Sequence, residues 1–505
     1  MMTHSMADKE QLDLMDHTKT ESEIVGPVLD VLDDKQPSPS WYSRITSWFS
    51  FQSISATKAN LFGCSLGFIS TGYQYNVISL LNVIWSIEYS QYYTQSVETR
   101  VNNALLYGVL VGQLLFGVIA DYFGRKVSLL ITSTLIIMGA IIATAANGAN
   151  GSIQGLFWAL TIGRGLSGVG SGGEYPCCMP TNSEDGDSLS VEKRGRRIAL
   201  LGPCIEMVSE NVVTIVQIIL LHIFGTQASQ LEPTWRISIG LVILPTAIVF
   251  LFRLCMKNSR LYERDKAIRR RFPLIVVIRS FGWRLLGTCL TWFLMDSIYF
   301  SFLTFGADIL ANVTGSSLMH IAYYQLVNMA WIPMAYLAAF LIDRLGRKNI
   351  LMFGFFTYAV TLFLIGGLYP ILYGKPAAYL VLYIFQGMFQ ILLVIPIYLI
   401  PSEVYPTVIR STCYGISAAF GKVGGIVGVQ FFLPIANAFS SSQSGYRADF
   451  LVAGGIACVG LVATYFLIPD LTKISLEKED DMFWKSVDEY DNNNNKRHNR
   501  NGSCD

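Results

Sequence analysis

Six ionisable side chains stand inside long apolar stretches of this 505-residue chain: Arg164, Glu174, Glu206, Glu210, Asp296 and Lys422. A charge within an apolar helix is costly, and it persists where it binds an ion, moves a proton or pairs with another charge. Asp296 follows Trp292 by four residues and precedes Phe300 by four, so the three share one helix face. Glu206 and Glu210 are also four apart. Two carboxylates so placed in a low dielectric do not both ionise, which makes one of them a candidate to take up and release a proton. Alternatively, Glu206 faces a cavity and contacts a polar head group. Lys422 stands among Gly421, Gly424, Gly425 and Gly428, a small-residue packing stripe rather than a phosphate loop. It is the candidate for attracting an anion. Arg164 lies ten residues before Glu174, about 15 Å along a helix, so the two do not pair within one straight helix. Arg164 is expected to meet a carboxylate of another helix, Glu206 or Glu210, either as part of the anion's field or as a structural tie. Gln74, Gln386 and Gln390 offer amides to hydroxyl groups.

These residues need a membrane to give their placement meaning, and the composition supplies one. Apolar residues make up 52% of the chain and charged residues 14%, little more than half the share of ordinary soluble domains. The near-neutral net charge of +1 argues against a nucleic-acid surface. The cysteines form no CxxC pair and read as small apolar residues. Twelve apolar runs lie near 59–87, 103–121, 127–147, 154–178, 197–224, 235–256, 284–310, 318–341, 350–369, 377–400, 411–436 and 448–469. Each is about the 20 residues that a helix needs to cross a bilayer, and too long for barrel strands. The expected organisation is an all-α membrane protein. A disordered tail (1–57) leads into a six-helix bundle (58–256), a basic linker (257–283), a second six-helix bundle (284–470) and a disordered C-terminal tail (471–505). Nearly all loop Lys and Arg fall in the even-numbered links, which places those links and both termini in the cytoplasm.

The two halves repeat a motif. Asp121-Tyr-Phe-Gly-Arg125-Lys126 follows the second run, and Asp343-Arg-Leu-Gly-Arg347-Lys348 follows the eighth. A Gly turn leaves the membrane, the Asp stays at the helix end and the cations anchor at the inner surface. Such pairs can lock and release the ends of two helix bundles.

The repeated D-x-x-G-R-K resembles the signature of the major facilitator superfamily. Five further segments narrow the resemblance: Thr99-Arg-Val-Asn-Asn-Ala, Arg164-Gly-Leu-Ser-Gly-Val-Gly-Ser-Gly-Gly-Glu174-Tyr175-Pro, Gly287-Thr-Cys-Leu-Thr-Trp292-Phe-Leu-Met-Asp296, Pro401-Ser-Glu403 through Arg410, and Tyr414 through Lys422-Val-Gly-Gly. Together these resemble the phosphate:proton symporter family, most closely the fungal glycerophosphodiester permeases.

The resemblance implies two six-helix bundles rocking about a midplane site, and a plasma-membrane importer of a glycerophosphodiester (glycerophosphoinositol or glycerophosphocholine) by proton symport. It implies substrate contacts from Lys422, Trp292, Tyr175, Gln74, Arg164, Tyr299 and Gln390. Proton coupling is implied for Asp296, with Glu174 or Glu206, and gating for Asp121, Arg125, Asp343 and Arg347. An Asp beside a bound anion is at least partly protonated, because two buried negative charges repel. The expected partners are a small anionic phosphorylated substrate, protons and the lipid bilayer. No cofactor, metal or nucleic acid is expected, and the state expected is a monomer. This sequence has Thr71 where the family usually has Asp, and Phe300 where it has Tyr. Its tenth run, Gln390-Ile-Leu-Leu-Val-Ile-Pro396, has no Gly-Pro break. These departures rank an inorganic phosphate symporter lower. A sugar or polyol facilitator would leave Asp296 and Lys422 without a task, and a non-transporting nutrient sensor would want longer tails. An enzyme is not expected, since the sequence carries no nucleotide loop, metal cluster or nucleophile triad.

Overall fold

The computed structural model describes residues 56–254, 256, 258, 262–263, 274–314, 317–372, 374–439, 441–470 and 474–501. The N-terminal tail expected at 1–57, except for its last two residues, and most of the basic linker expected at 257–283 lie outside the described residues.

The described chain is a succession of helices. The first half holds α1 (Ala56–Glu88), α2 (Gln95–Phe123), α3 (Arg125–Thr144), α4 (Ile153–Leu189), α5 (Arg194–Leu201), α6 (Pro203–Phe224), α7 (Glu232–Gly240) and α8 (Ile243–Leu254). The second half holds α9 (Leu274–Thr314), α10 (Leu318–Gln325), α11 (Ile332–Leu345), α12 (Arg347–Leu372), α13 (Pro376–Glu403), α14 (Arg410–Asn437) and α15 (Ser442–Leu467), and α16 (Leu476–Asn501) follows. Among the described residues, 10 helical segments are long and apolar enough to cross a membrane. The long helices α1 and α4 occupy the places of the first and fourth expected runs, and α4 is diluted by Gly, Ser and polar residues. Their order agrees with the twelve expected runs.

Three expected runs are each split. Gly202 separates α5 from α6, and Pro203 opens α6, where a first turn needs no amide hydrogen. Leu241 and Val242 separate α7 from α8. A 3₁₀ stretch, Leu326–Trp331, joins α10 to α11. Apolar side chains point outward all along the helices, among them Leu114, Leu115 and Val118 of α2, Phe353 and Phe356 of α12, and Val459, Val462 and Phe466 of α15. Water would not tolerate so large an apolar belt, and a bilayer does.

The two repeated turns are closed by Gly124 and Gly346, with φ of 99° and 88°. That backbone region is strained for residues with a Cβ, which explains the glycine in both copies of the motif. The glycine stripe of α14 packs as expected: a Cβ on Gly424 or Gly428 would run into the backbone of Phe293 or Ser297 in α9.

One expectation is corrected. Residues 476–501 form α16 rather than a disordered tail. Leu476, Asp480, Phe483 and Val487 fall on one face at spacings of four, three and four, and all four are buried. A few apolar residues among many charged and amide ones leave little trace in an averaged hydropathy, so the segment reads as a tail.

Candidate functional site

The chemistry gathers at two levels. The first lies where α2, α5, α11 and α14 end or begin beside the repeated turns. Asp121, at the end of α2, accepts hydrogen bonds from the Ser411 and Thr412 amides (3.3 and 2.7 Å) and from the Thr412 hydroxyl (2.7 Å). Those are the second and third residues of α14, so the carboxylate satisfies donors at the positive end of a helix from the other half. Asp343, at the end of α11, does the same for α5, accepting from the Gly195 and Arg196 amides at 3.1 and 2.8 Å.

Each Asp is held by the Arg of its own motif, Arg125 at 3.2 Å and Arg347 at 3.0 Å. The same arginines reach a second acid: Arg125 meets Glu184 at 3.0 Å and Arg347 meets Glu403 at 2.9 Å. Each acid also takes an Arg of the opposite half. Arg410 lies 2.9 Å from Glu184, and Arg194 lies 2.9 Å from Glu403. The expected gating residues are thus brought together in two matching clusters, and four ties cross between the halves. Glu184, Arg194, Glu403 and Arg410 complete the clusters; Glu403 and Arg410 stand in a segment that carries the family resemblance, but none of the four was expected as a gating residue. The signal was available in Ser183-Glu184 and Ser402-Glu403, a Ser-Glu pair just after the fourth apolar run of each half.

The second level is deeper. Lys422 Nζ lies 2.9 Å from Asp296 Oδ2, and both are buried. Three rings wall the ammonium: Phe300 at 4.6 Å, Tyr75 at 5.4 Å and Tyr175 at 6.0 Å from their centroids. A cation held this way is stabilised by ring faces as well as by its carboxylate. Trp292, one turn from Asp296, packs on Tyr398 (5.4 Å) and Tyr414 (5.6 Å), and its Nε1 has no hydrogen-bond partner. Tyr175 donates to Glu206, and Tyr398 donates to Tyr175 at 3.4 Å. The chain Tyr398–Tyr175–Glu206 therefore links α13 of the second half to α4 and α6 of the first. Tyr299 packs edge-on against Phe300. Tyr75 and Tyr398 were missed from sequence because aromatic residues in an apolar run carry no pattern that separates a wall from a core.

Other candidates lie elsewhere. Gln74 donates to Ser171 Oγ at 2.9 Å and accepts from Ser167, so both ends of its amide are used by α4. Gln390 neighbours Gln386 (3.5 Å), which donates to the Tyr358 hydroxyl at 3.0 Å.

Arg164 does not meet Glu206 or Glu210. Its Nε donates to the Val101 carbonyl at 3.2 Å. The reason is axial distance: Glu206 is bound at the level of Tyr175, and eleven residues of α4, about 16 Å, separate that level from Arg164. Glu174 instead forms a forked pair with Arg253 of α8, one arm at 2.7 Å, and accepts from the Thr132 hydroxyl at 2.5 Å. Arg253 also donates to the Leu129 carbonyl (3.0 Å) and Ser133 (2.6 Å). Glu174 therefore ties α3, α4 and α8 together. Arg253 was missed because it sits in the last turn of its run, where a cation reads as an interfacial anchor.

The family model described as the Major Facilitator Superfamily matches residues 64–429. The chain is 35% identical to glycerophosphoinositol permease 1 of Candida albicans, across 84% of this chain and 82% of that protein. It is 32% identical to glycerophosphoinositol transporter 1 of Saccharomyces cerevisiae, across 82% and 79% respectively. In fold it is similar to the solved proton:xylose symporter of E. coli bound to 6-bromo-6-deoxy-D-glucose, with a TM-score of 0.72 at 16% identity, covering 85% of this chain and 99% of that one.

Proposed function

The chain belongs to the major facilitator superfamily, and from that premise we propose that it imports a glycerophosphodiester across the plasma membrane by proton symport. It is a multi-pass membrane transporter and not an enzyme. The observation that carries the substrate reading is the buried Lys422–Asp296 pair, walled by Phe300, Tyr75 and Tyr175 between the two halves. Two relatives, 35% and 32% identical to the chain, are named for glycerophosphoinositol, which agrees with a site built around one buried cation.

The pair explains how an anion and a proton travel together. A phosphodiester that reaches Lys422 takes the ammonium away from Asp296. The carboxylate is then a buried charge beside a second negative charge, an arrangement relieved by one proton. Tyr175, Trp292 and Tyr299 shape the walls, and Glu206, which shares Tyr175 with the site, is the second carboxylate in reach of the same proton path. Glu174 is held by Arg253 and takes no part in that exchange.

The Asp121 and Asp343 clusters close the end of the pathway assigned to the cytoplasm, with both termini on that side. Release inward requires the four cross-ties to break together. The transporter works as a monomer, since each chain contains both halves and the complete site.

Uptake of radiolabelled glycerophosphoinositol and glycerophosphocholine in a permease-null yeast tests the proposal. Normal surface expression with uptake of neither compound would sink the substrate assignment. Strong competition by excess inorganic phosphate would point to a phosphate symporter instead.

A further inference from the structure

Residues 99–104 of α2 take no part in either level of the site described above. They border a shallow groove of about 640 Å³ on the surface of α2 and α4, lined by Gln95, Ser96, Arg100, Asn103, Tyr107 and Thr161. Arg100 precedes Asp121 by 21 residues on the same helix, about 32 Å of rise. That is the thickness of a bilayer core, so the groove lies at the head-group level opposite the Asp121 and Asp343 clusters.

The Arg100 guanidinium lies over the Trp158 ring of α4, with Cζ 4.0 Å from the ring centroid. An aromatic ring at the membrane interface fixes a cation in this way. Among the described residues no carboxylate lines the groove, and Arg100 Nε is buried without a hydrogen-bond partner. Arg236, at the same end of the bundle, is instead paired with Glu232 at 2.9 Å and donates to the Thr144 carbonyl at 2.7 Å. A guanidinium fork held flat with its donors open, beside amides and hydroxyls, suits the paired oxygens of a phosphodiester.

The rest of the helix face identifies the molecule that carries the phosphate. Asn103, Tyr107, Val111, Leu114 and Val118 follow Arg100 at spacings of three, four, four, three and four, so all share one face of α2. Tyr107, Val111, Leu114 and Val118 are exposed, and on α4 Ile162, one turn after Trp158, is exposed as well. The polar groove therefore opens onto an apolar strip at the depth of the acyl chains. A solute drawn from water gains nothing along that strip, whereas a phospholipid lays its chains there. We propose that the groove binds a phospholipid of the leaflet opposite the two clusters, with its phosphate on Arg100. Because no carboxylate is present to meet an ammonium, the groove selects an anionic head group bearing hydroxyls over a zwitterionic one. This site is independent of the transported substrate, and it gives Arg100 and Trp158 a task outside the transport pathway.

The experiment follows the unfolding temperature of the full chain, purified in detergent, as phosphatidylinositol, phosphatidylglycerol or phosphatidylcholine is titrated into the micelles. Glycerophosphoinositol, which keeps the phosphodiester and lacks acyl chains, is titrated alongside. The two anionic lipids should stabilise the wild type at a mole fraction about tenfold below that needed of phosphatidylcholine. Arg100→Ala and Trp158→Leu should each raise the half-saturating fraction of phosphatidylinositol, Arg100→Ala by about tenfold or more. Arg100→Lys keeps the charge and loses the fork, so it should fall between Arg100→Ala and wild type, and it supplies the comparison where Arg100→Ala does not fold. Equal responses of wild type and the Arg100 variants to phosphatidylinositol, or equal stabilisation by phosphatidylinositol and phosphatidylcholine, overturns the proposal. A response to glycerophosphoinositol that Arg100→Ala loses as fully as the lipid response shows a site for soluble anions and overturns the lipid assignment.

Discussion

Lys422 and Asp296, on α14 and α9, form a buried ion pair at 2.9 Å with one turn of α9 separating it from Trp292. The residue expected to attract the anion and the residue expected to hold the proton are therefore each other's partner. In the proposed mechanism neither role is available while the pair is intact, so binding of substrate and uptake of a proton are expected to be one event rather than two.

Asp296→Asn removes the carboxylate and leaves a neutral amide beside Lys422. Substrate still meets a cation, and the proton has nowhere to go. The expected outcome is loss of accumulation against a gradient with exchange of labelled for unlabelled substrate retained. Counterflow in vesicles with and without a protonophore measures both. A variant whose uptake keeps the wild-type dependence on external pH removes Asp296 from the proton role.

Lys422→Ala leaves Asp296 buried with no counter-charge, and breaking a buried pair from one side costs about 3–5 kcal/mol. Substrate uptake should fall at least a hundredfold, and part of the loss should be in surface level. The double variant Lys422→Ala/Asp296→Asn should regain surface level without regaining uptake, because it no longer buries an unpaired charge. Equal surface levels in all three variants would mean that the pair is not desolvated.

Glu174 is predicted to matter for stability rather than for coupling. Its fork with Arg253 and its bond from Thr132 join α3, α4 and α8. Glu174→Gln or Arg253→Ala should lower the unfolding temperature of the purified protein by several degrees, consistent with about 3–5 kcal/mol for a broken buried pair. Transport by the molecules that remain folded should keep its pH profile. A normal unfolding temperature with an altered pH profile would restore Glu174 to the proton path.

How far the sequence carries a reader depends on which physical signal each residue leaves. Long apolar runs and the repeated Asp-x-x-Gly-Arg-Lys are legible because a bilayer demands the first and a left-handed turn demands the glycine in the second. Lys422 and Asp296 are legible because a charge in an apolar run is rare. Their pairing is not, since no spacing relates residues on α9 and α14. Arg164 shows the opposite limit: charge complementarity suggested an acid partner, and axial distance along α4 denied it. Arg253, Tyr75 and Tyr398 were hidden because an end-of-run cation and a buried aromatic each have a commonplace structural explanation. The α16 helix was hidden because four buried positions on one face vanish in a polar average.

Asp121 and Asp343 should act as equivalent latches. Each caps a helix of the opposite half through two backbone amides, and losing a cap costs about 0.5–2 kcal/mol. Asp121→Ala and Asp343→Ala should each shift the balance toward the form open beside these turns by about 2- to 30-fold. A cysteine placed at the buried Ser183 reports it: its labelling by a bulky thiol reagent in inside-out vesicles should rise in both variants over the native thiols. A rise in one variant only would show that the two clusters do not share the work.

The helix α16 extends the same argument beyond the membrane. Asp480 accepts from the Thr407 amide and hydroxyl at 2.7 and 2.8 Å and lies 3.7 Å from Arg410, the residue that ties Glu184. Glu479 holds Arg284 at 2.9 Å, and the Leu476 amide donates to Asp187 of the first half at 3.2 Å. Phe483 packs on Phe281. The helix thus braces the second-half residues that the gate uses, while its first residue and the preceding Ile474 carbonyl, which accepts from Arg194, touch the first half. Truncation after Ile474, or Asp480→Asn with Phe483→Ala, should raise Ser183→Cys labelling in the same direction as Asp121→Ala. Because all three act on the segment that carries Arg410 into α14, Asp121→Ala combined with the truncation should give less than the sum of the two separate shifts. Strict additivity would place α16 outside the gate's energetics and leave it a packing element only.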